Sequence, residues 1–199
     1  MRTSILRVAI DGVDGVGKTR LADDLAEVLA GHGVGVIRAG VDNFHNPRAV
    51  RYRRGRDSPE GYFRDTTNIA LLAERLLDPL SPGGSGRFHP RAFDYRTDSV
   101  VNEPEHVADP PAVLLFDGIF LHRDELTRYW DLSMFLDAPF EQTYARMAER
   151  DGSDPDPEAA GNRRYYEGQK LYLGECCPRE RAGILVDYAR LEAPRILRG

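Results

Sequence analysis

A lysine stands inside a glycine-rich turn, Gly12-Val-Asp-Gly-Val-Gly-Lys18-Thr19. The spacing is G-x-x-x-x-G-K-S/T, and its parts answer one chemical demand, the holding of a polyphosphate. Glycines let the backbone wrap around phosphates with its N–H groups turned inward, and the helix that follows offers its positive N-terminus. Lys18 would reach the β- and γ-phosphates, and the Thr19 hydroxyl would hold Mg²⁺. The candidate nucleotide-binding residues are therefore Gly12, Asp14, Gly15, Val16, Gly17, Lys18, Thr19 and Arg20. Of 27 basic residues only Lys18 and Lys170 are lysines. A phosphate loop needs a compact point charge on a thin stem, which the planar, forked guanidinium of arginine does not offer.

Carboxylates follow other apolar runs. Asp117 closes AVLLF and precedes Gly118. It is a candidate to position Mg²⁺ through water, and the alternative is a turn aspartate. Asp42, in VDNF, is a candidate to accept the proton of an attacking hydroxyl, and the alternative is a loop cap. An aspartate with an ordinary pKa near about 4 is ionised at neutral pH and can take a proton late in phosphoryl transfer. Asp137, two residues before Pro139, reads as a helix cap, and Asp187 as a turn residue.

The elements that must position these groups follow from hydrophobic pattern. Residues 5–10 (ILRVAI), 34–41, 112–116 (AVLLF), 132–136 and 184–186 read as strands. Residues 17–30, 65–77, 123–129, 139–149 and 163–174 read as helices. Strands alternating with helices predict an α/β fold, a parallel sheet with helices on both faces. In such sheets ligands sit beyond the carboxyl ends of the strands, so the glycine turn, Asp42 and Asp117 should share one edge. Residues 81–86 (SPGGSG) and the acidic, proline-bearing residues 151–161 are loops by composition.

Composition bounds the rest. The 199 residues suffice for one domain and carry a net charge of −5, which argues against a duplex-binding protein. No apolar run is long enough to span a membrane. The N-terminal apolar stretch is too short for a signal peptide, so a cytoplasmic protein is expected. Cys176 and Cys177 are the only cysteines, and adjacent cysteines rarely pair, which fits a reducing compartment. The five histidines are scattered with no paired ligand spacing, which argues against a histidine-held metal. Oligomeric state stays open, a homo-oligomer included.

Together the motifs resemble those of the uridine kinase and phosphoribulokinase family of phosphate-loop (P-loop) kinases, in the family's order and over nearly the whole chain. The resemblance implies a three-layer P-loop nucleoside triphosphate hydrolase fold, one domain across residues 1–199 with a lid around residues 150–164, and the use of ATP and Mg²⁺. VDNF at 41–44 is similar to the family's Asp-x-Phe segment, which would make Asp42 the catalytic base beside Lys18. RDSPEGYF at 56–63 is similar to its Asp-His-Pro-Asp-Ala-Phe stretch, which would make Asp57 a ligand for ribose-like hydroxyls. ARMAERD at 145–151 resembles the start of its lid, with Arg150 facing phosphates and the acceptor; Arg163 and Arg164 are further candidates. Phe93 and Asp98 fall where uridine kinases carry a tyrosine and a histidine that contact the base. A carboxylate lacks the imidazole's donor pattern.

The acceptor implied is a small hydroxyl-bearing molecule. It would be a nucleoside such as uridine or cytidine, with pantothenate, a nicotinamide riboside-like nucleoside, a sugar or a secondary metabolite as alternatives. Neither a nucleic acid nor a membrane is expected as partner. Two other classes compete: a nucleotide-dependent regulatory module and a scaffold that has lost catalysis. The co-occurrence of Lys18, Thr19, Asp42 and Asp117 favours the kinase.

Overall fold

The computed structural model describes residues 5–199. The first four residues, part of the N-terminal stretch considered above, lie outside it. Six strands form the central sheet: β1 (Ile5–Gly12), β2 (Gly35–Gly40), β3 (Ala112–Gly118), β4 (Leu132–Asp137), β5 (Ile184–Asp187) and β6 (Arg195–Arg198). Their order is β6-β5-β4-β1-β3-β2. Neighbours are parallel except β5 and β6, which are antiparallel.

The apolar runs are continuous because both faces of the sheet are covered. Leu114 and Phe116 of β3 enter one core, and Leu115 enters the other. In β1, Ala9 joins the first core, while Val8 and Ile10 join the second. Four helices supply the outer layers: α1 (Lys18–Gly31), α2 (Pro59–Asp65), α3 (Phe140–Asp151) and α4 (Arg163–Cys176). Leu21, Ala22 and Leu25 of α1 and Phe140 of α3 pack on the second core. Tyr62 and Phe63 of α2 and Tyr172 of α4 pack on the first. This is the expected three-layer α/β architecture.

Three local expectations are corrected. The helix expected over residues 65–77 is interrupted. Asp65 ends α2, where its buried carboxylate takes the guanidinium groups of Arg53 and Arg54 at 2.5 and 2.9 Å. A new helix then starts at Asn68, whose side chain accepts from the Leu71 amide at 3.0 Å, and runs through Ile69–Leu72 into a π-helical turn, Ala73–Leu77. Asp137 does not cap α3: Pro139 holds the cap position without a side-chain bond, and Asp137 accepts from Arg179 at 2.7 Å. Finally, β6 adds an edge strand that hydrophobic pattern did not announce. Its four residues are all exposed, so no alternation marks it.

One buried carboxylate fastens the end of β1. Asp11 is 0% exposed. One of its oxygens accepts from the Gly12 amide at 2.7 Å. The other accepts from the amides of Leu121 and His122, meets the His122 ring at 2.7 Å, and takes the Tyr172 hydroxyl. The strand that launches the glycine turn is thereby tied to the segment after β3 and to α4. Asp11→Ala strips these donors of their acceptor inside the core. It is expected to lower the unfolding free energy by about 3–5 kcal/mol, read from urea denaturation of both proteins; a loss below about 1 kcal/mol, the range of an ordinary hydrogen bond, would contradict this role.

Candidate active site

The glycine turn leaves β1 and enters α1. Gly15 has a left-handed backbone (φ +72°), and a Cβ there would lie 2.4 Å from the Thr143 carbonyl. Only glycine fits between this turn and α3. Arg146 of α3 holds the loop from the same side, donating to the Val16 carbonyl at 3.1 Å and to Ala189 at 2.6 Å. The first amides of α1 have no carbonyl behind them within the helix and open toward an anion.

A cleft of about 910 Å³ lies beyond the carboxyl ends of β1, β2 and β3. Lys18 lines it and folds back on its own loop, donating through Nζ to the Gly12 and Val13 carbonyls at 2.9 and 2.8 Å. The Thr19 hydroxyl donates to Asp117 Oδ2 at 2.7 Å. Asp117 is brought level with the turn because its partners in the sheet are Ile10 and Gly40. Arg38 of β2 contacts the other Asp117 oxygen at 3.1 Å and is itself held by Asp23 at 2.9 Å. A hydroxyl and a carboxylate side by side are hard oxygen donors. They fit Mg²⁺, which takes one or two protein oxygens and completes its shell with phosphate oxygens and water. Among the described residues no cluster of three or more His, Cys, Asp or Glu is placed to hold a metal ion.

Two further aspartates face the cleft with opposite electrostatics. Asp14 accepts from the Tyr62 hydroxyl at 2.6 Å and from Gln169 Nε2 at 3.1 Å, and its amide donates to Gln169 Oε1 at 2.7 Å. Burial raises its pKa, against the opposing pull of Lys18 and Tyr62. Asp42 sits in a 3-10 turn, Val41–Phe44, just past β2. The turn lies directly against β3, where a Cβ on Gly118 would meet the Val41 side chain at 2.5 Å. At Asp42 burial also pushes upward, but His45, Lys18 and Arg96 outweigh it, so the carboxyl lies below its ordinary value. His45 Nε2 is 3.4 Å from Asp42 Oδ1. Asp42 is thus ionised at neutral pH, with room beside it for a hydroxyl.

The other sequence candidates are distributed less simply. Arg150 lines the cleft and pairs with Asp151 at 2.5 Å. Gly12, Val16 and Gly17 shape the turn through their backbone, with the Val16 side chain in the core. The Arg20 side chain reaches Glu192 at 2.9 Å, outside the cleft lining. Asp57 is exposed before α2 and does not line the cleft. Phe93 is 3% exposed and packed in the interior. Asp98 accepts from the Arg48 amide at 2.7 Å and stands 3.5 Å from Arg51, so its carboxylate braces two loops. Arg163 is exposed, and Arg164 is buried, donating to the carbonyls of Arg51, Gly55, Arg56 and Ser58.

Sequence reasoning missed Tyr62, Gln169, Arg38, Tyr95 and Arg96, all of which touch the site. Tyr62 lies within a stretch that had been singled out. Gln169 carried no signal, because its contact with Asp14 spans 155 residues.

Comparison with known proteins bears on the family and the fold. The family model described as phosphoribulokinase / uridine kinase matches residues 7–155. A uridine kinase of Haemophilus influenzae (strain PittGG) is 28% identical over 156 residues, 74% of this chain and 69% of that protein. A structure described as a possible uridine kinase from Bacillus stearothermophilus superposes with a TM-score of 0.71 at 22% identity, covering 93% of this chain and 90% of that one. Phosphoribulokinase from Rhodobacter spheroides superposes with a TM-score of 0.60 at 13% identity, covering 94% and 71%. At those identities the two structures establish likeness of fold.

The balance at Asp42 is open to a direct test. In His45→Ala, burial is opposed only by Lys18 and Arg96, so the Asp42 pKa is expected to rise. Carboxyl-carbon NMR titration of both proteins reads the change, and an unmoved or lowered value would remove His45 from the causes.

Proposed function

Because the chain belongs to the phosphoribulokinase / uridine kinase family, we propose that it transfers the γ-phosphoryl group of Mg²⁺–ATP to a hydroxyl of a small-molecule acceptor. The observation that carries this reading is the convergence on one cleft of Lys18, the Thr19–Asp117 pair and an ionised Asp42. A nucleotide switch needs the first three and has no use for the fourth.

Phosphoryl transfer asks mainly for positioning and charge stabilisation. Lys18 swings from its own loop carbonyls onto the β- and γ-phosphates. Thr19 and Asp117 would hold Mg²⁺, which supplies further neutralisation of phosphate charge. Asp42 orients the acceptor hydroxyl and takes its proton as the oxygen bonds to the γ-phosphorus and the bond to the departing ADP breaks. Arg150, at the end of α3, turns from Asp151 toward the phosphates as residues 152–162 close over the nucleotide. Asn162 braces that segment, donating to the Asp154 and Asp156 carbonyls at 2.9 and 2.7 Å.

Uridine and cytidine are the first acceptors to try, since the curated relatives are uridine kinases. Against them stands the placement of Phe93 in the core and of Asp98 between two loops. These are the positions that face the base in the uridine kinase pattern.

Two substitutions separate the roles. Lys18→Ala removes charge stabilisation with little loss of packing, and transfer is expected to fall by about 10²–10³ with the thermal transition unchanged. Asp42→Asn is expected to keep ATP affinity while transfer falls about 10²–10⁴. ADP release and ATP titration of each variant provide the readout; equal losses in binding and transfer for Asp42→Asn would assign it to Mg²⁺–ATP rather than to the acceptor.

A further inference from the structure

The glycine turn carries an acidic side chain of its own. Asp14 stands two residues after Gly12 and lines the cleft beside Lys18. In a loop that holds a polyphosphate this is a conflict. Like charges repel strongly where bulk water is excluded, and a carboxylate free to turn competes with phosphate for the lysine. The Lys18 charge does act on Asp14, second only to burial. Yet among the described residues the two form no ion pair, and Lys18 Nζ is directed at the Gly12 and Val13 carbonyls.

Asp14 is held instead by two helices. Its Oδ2 accepts from the Tyr62 hydroxyl of α2 at 2.6 Å and from Gln169 Nε2 of α4 at 3.1 Å. The Asp14 amide donates to Gln169 Oε1 at 2.7 Å. A planar amide can take a backbone N–H at one end and donate to a carboxylate at the other. A glutamate at 169 would repel Asp14, and a leucine would meet neither group. The peptide between Val13 and Asp14 is pinned at both ends, its carbonyl by Lys18 and its N–H by Gln169.

The helices bring these donors to one point. They touch at Gly168, where a Cβ would lie 2.8 Å from the Tyr62 ring and 2.9 Å from the Pro59 carbonyl. Tyr62 and Gln169 are both buried. The Tyr62 ring stands edge-on to Phe120 and Tyr165, with centroids at 5.3 and 4.9 Å. Burial and the Asp14 charge push the Tyr62 pKa far upward, so the hydroxyl keeps its proton and donates. Packing accounts for the ring. It does not account for a hydroxyl and an amide converging on one carboxylate oxygen.

Resting on the proposed use of Mg²⁺–ATP, we propose that Tyr62 and Gln169 are positioning residues for the nucleotide, drawing the Asp14 carboxylate toward α2 and α4 so that Lys18 is left to the phosphates. Neither side chain touches the reacting atoms; both act through Asp14. With either donor gone, the carboxylate turns toward Lys18, whose Nζ already lies on the carbonyl of the preceding residue. The nucleotide then has to displace an anion in order to bind.

The test is the Kd for Mg²⁺–ATP in Tyr62→Phe and Gln169→Leu, each with and without Asp14→Asn, with the thermal transition read on the same samples. Tyr62→Phe keeps the ring and its packing, and it decides the matter alone if Gln169→Leu lowers the thermal transition. Loss of a charge-assisted hydrogen bond to Asp14 is expected to raise Kd by about tenfold in each single variant. Adding Asp14→Asn removes the charge while keeping the shape, and it is expected to restore most of that affinity. A role in packing alone gives no such rescue. An unchanged Kd in Tyr62→Phe, or a loss that Asp14→Asn leaves in place, overturns the positioning role and leaves the kinase reading standing. Failure of the unsubstituted protein to bind Mg²⁺–ATP overturns both.

Discussion

A carboxylate with no access to water holds this structure's working edge together. Burying a polar group is costly unless its hydrogen-bonding atoms are met. Asp11 meets that condition by collecting backbone amides, an imidazole and a phenol from three separate parts of the chain. The cost of leaving any of them unpaired makes the arrangement close to all-or-none. The glycine turn therefore starts from a fixed point. Arg146 fixes its far side, and the Asp14–Gln169 contact fixes its tip to α4.

From that fixed edge the cleft acquires two electrostatic regions. Around Thr19 and Asp117, each anionic oxygen already has a donor, with Arg38 and Asp23 extending the chain of pairs away from the site. Such a network keeps Asp117 oriented without isolating it. Around Asp42 the balance is different. Asp14 and Asp42 lie on the same cleft, yet burial prevails at the first and positive neighbours prevail at the second. Environments that push two like groups apart are how a single site assigns them different work. Asp14 becomes a structural link between the loop and the α2–α4 pair, whereas Asp42 remains an anion available to a hydroxyl.

Cross-bracing between residues 45–52 and 94–98 explains why motif positions and contact positions differ there. Phe93 stays near its motif position in sequence but turns inward, because a strand residue on the buried side of a short ladder must fill the core. Asp98 adopts a left-handed backbone (φ 57°) and directs its carboxylate at Arg48 and Arg51. The side chains left facing the cleft are their neighbours, Tyr95 and Arg96.

Local chemistry made part of this protein legible from its residues alone. The glycine turn with Lys18 and Thr19, the buried run ending in Asp117, the alternation of strands and helices, and the family itself all rest on short-range patterns. Each has a reason that operates within a few residues: backbone freedom, a two-residue strand period, a helix N-terminus. The break after Asp65, the exposed strand β6, the burial of Phe93, the position of Asp57 away from the cleft, and the Asp11 and Asp14 contacts had no such signal. They arise from pairings such as Asp14 with Gln169 or Asp11 with Tyr172, in which a residue's partner comes from another part of the chain. Side-chain direction and charge balance depend on everything packed within a few ångströms, and that company exists only once the sheet and its helices have assembled.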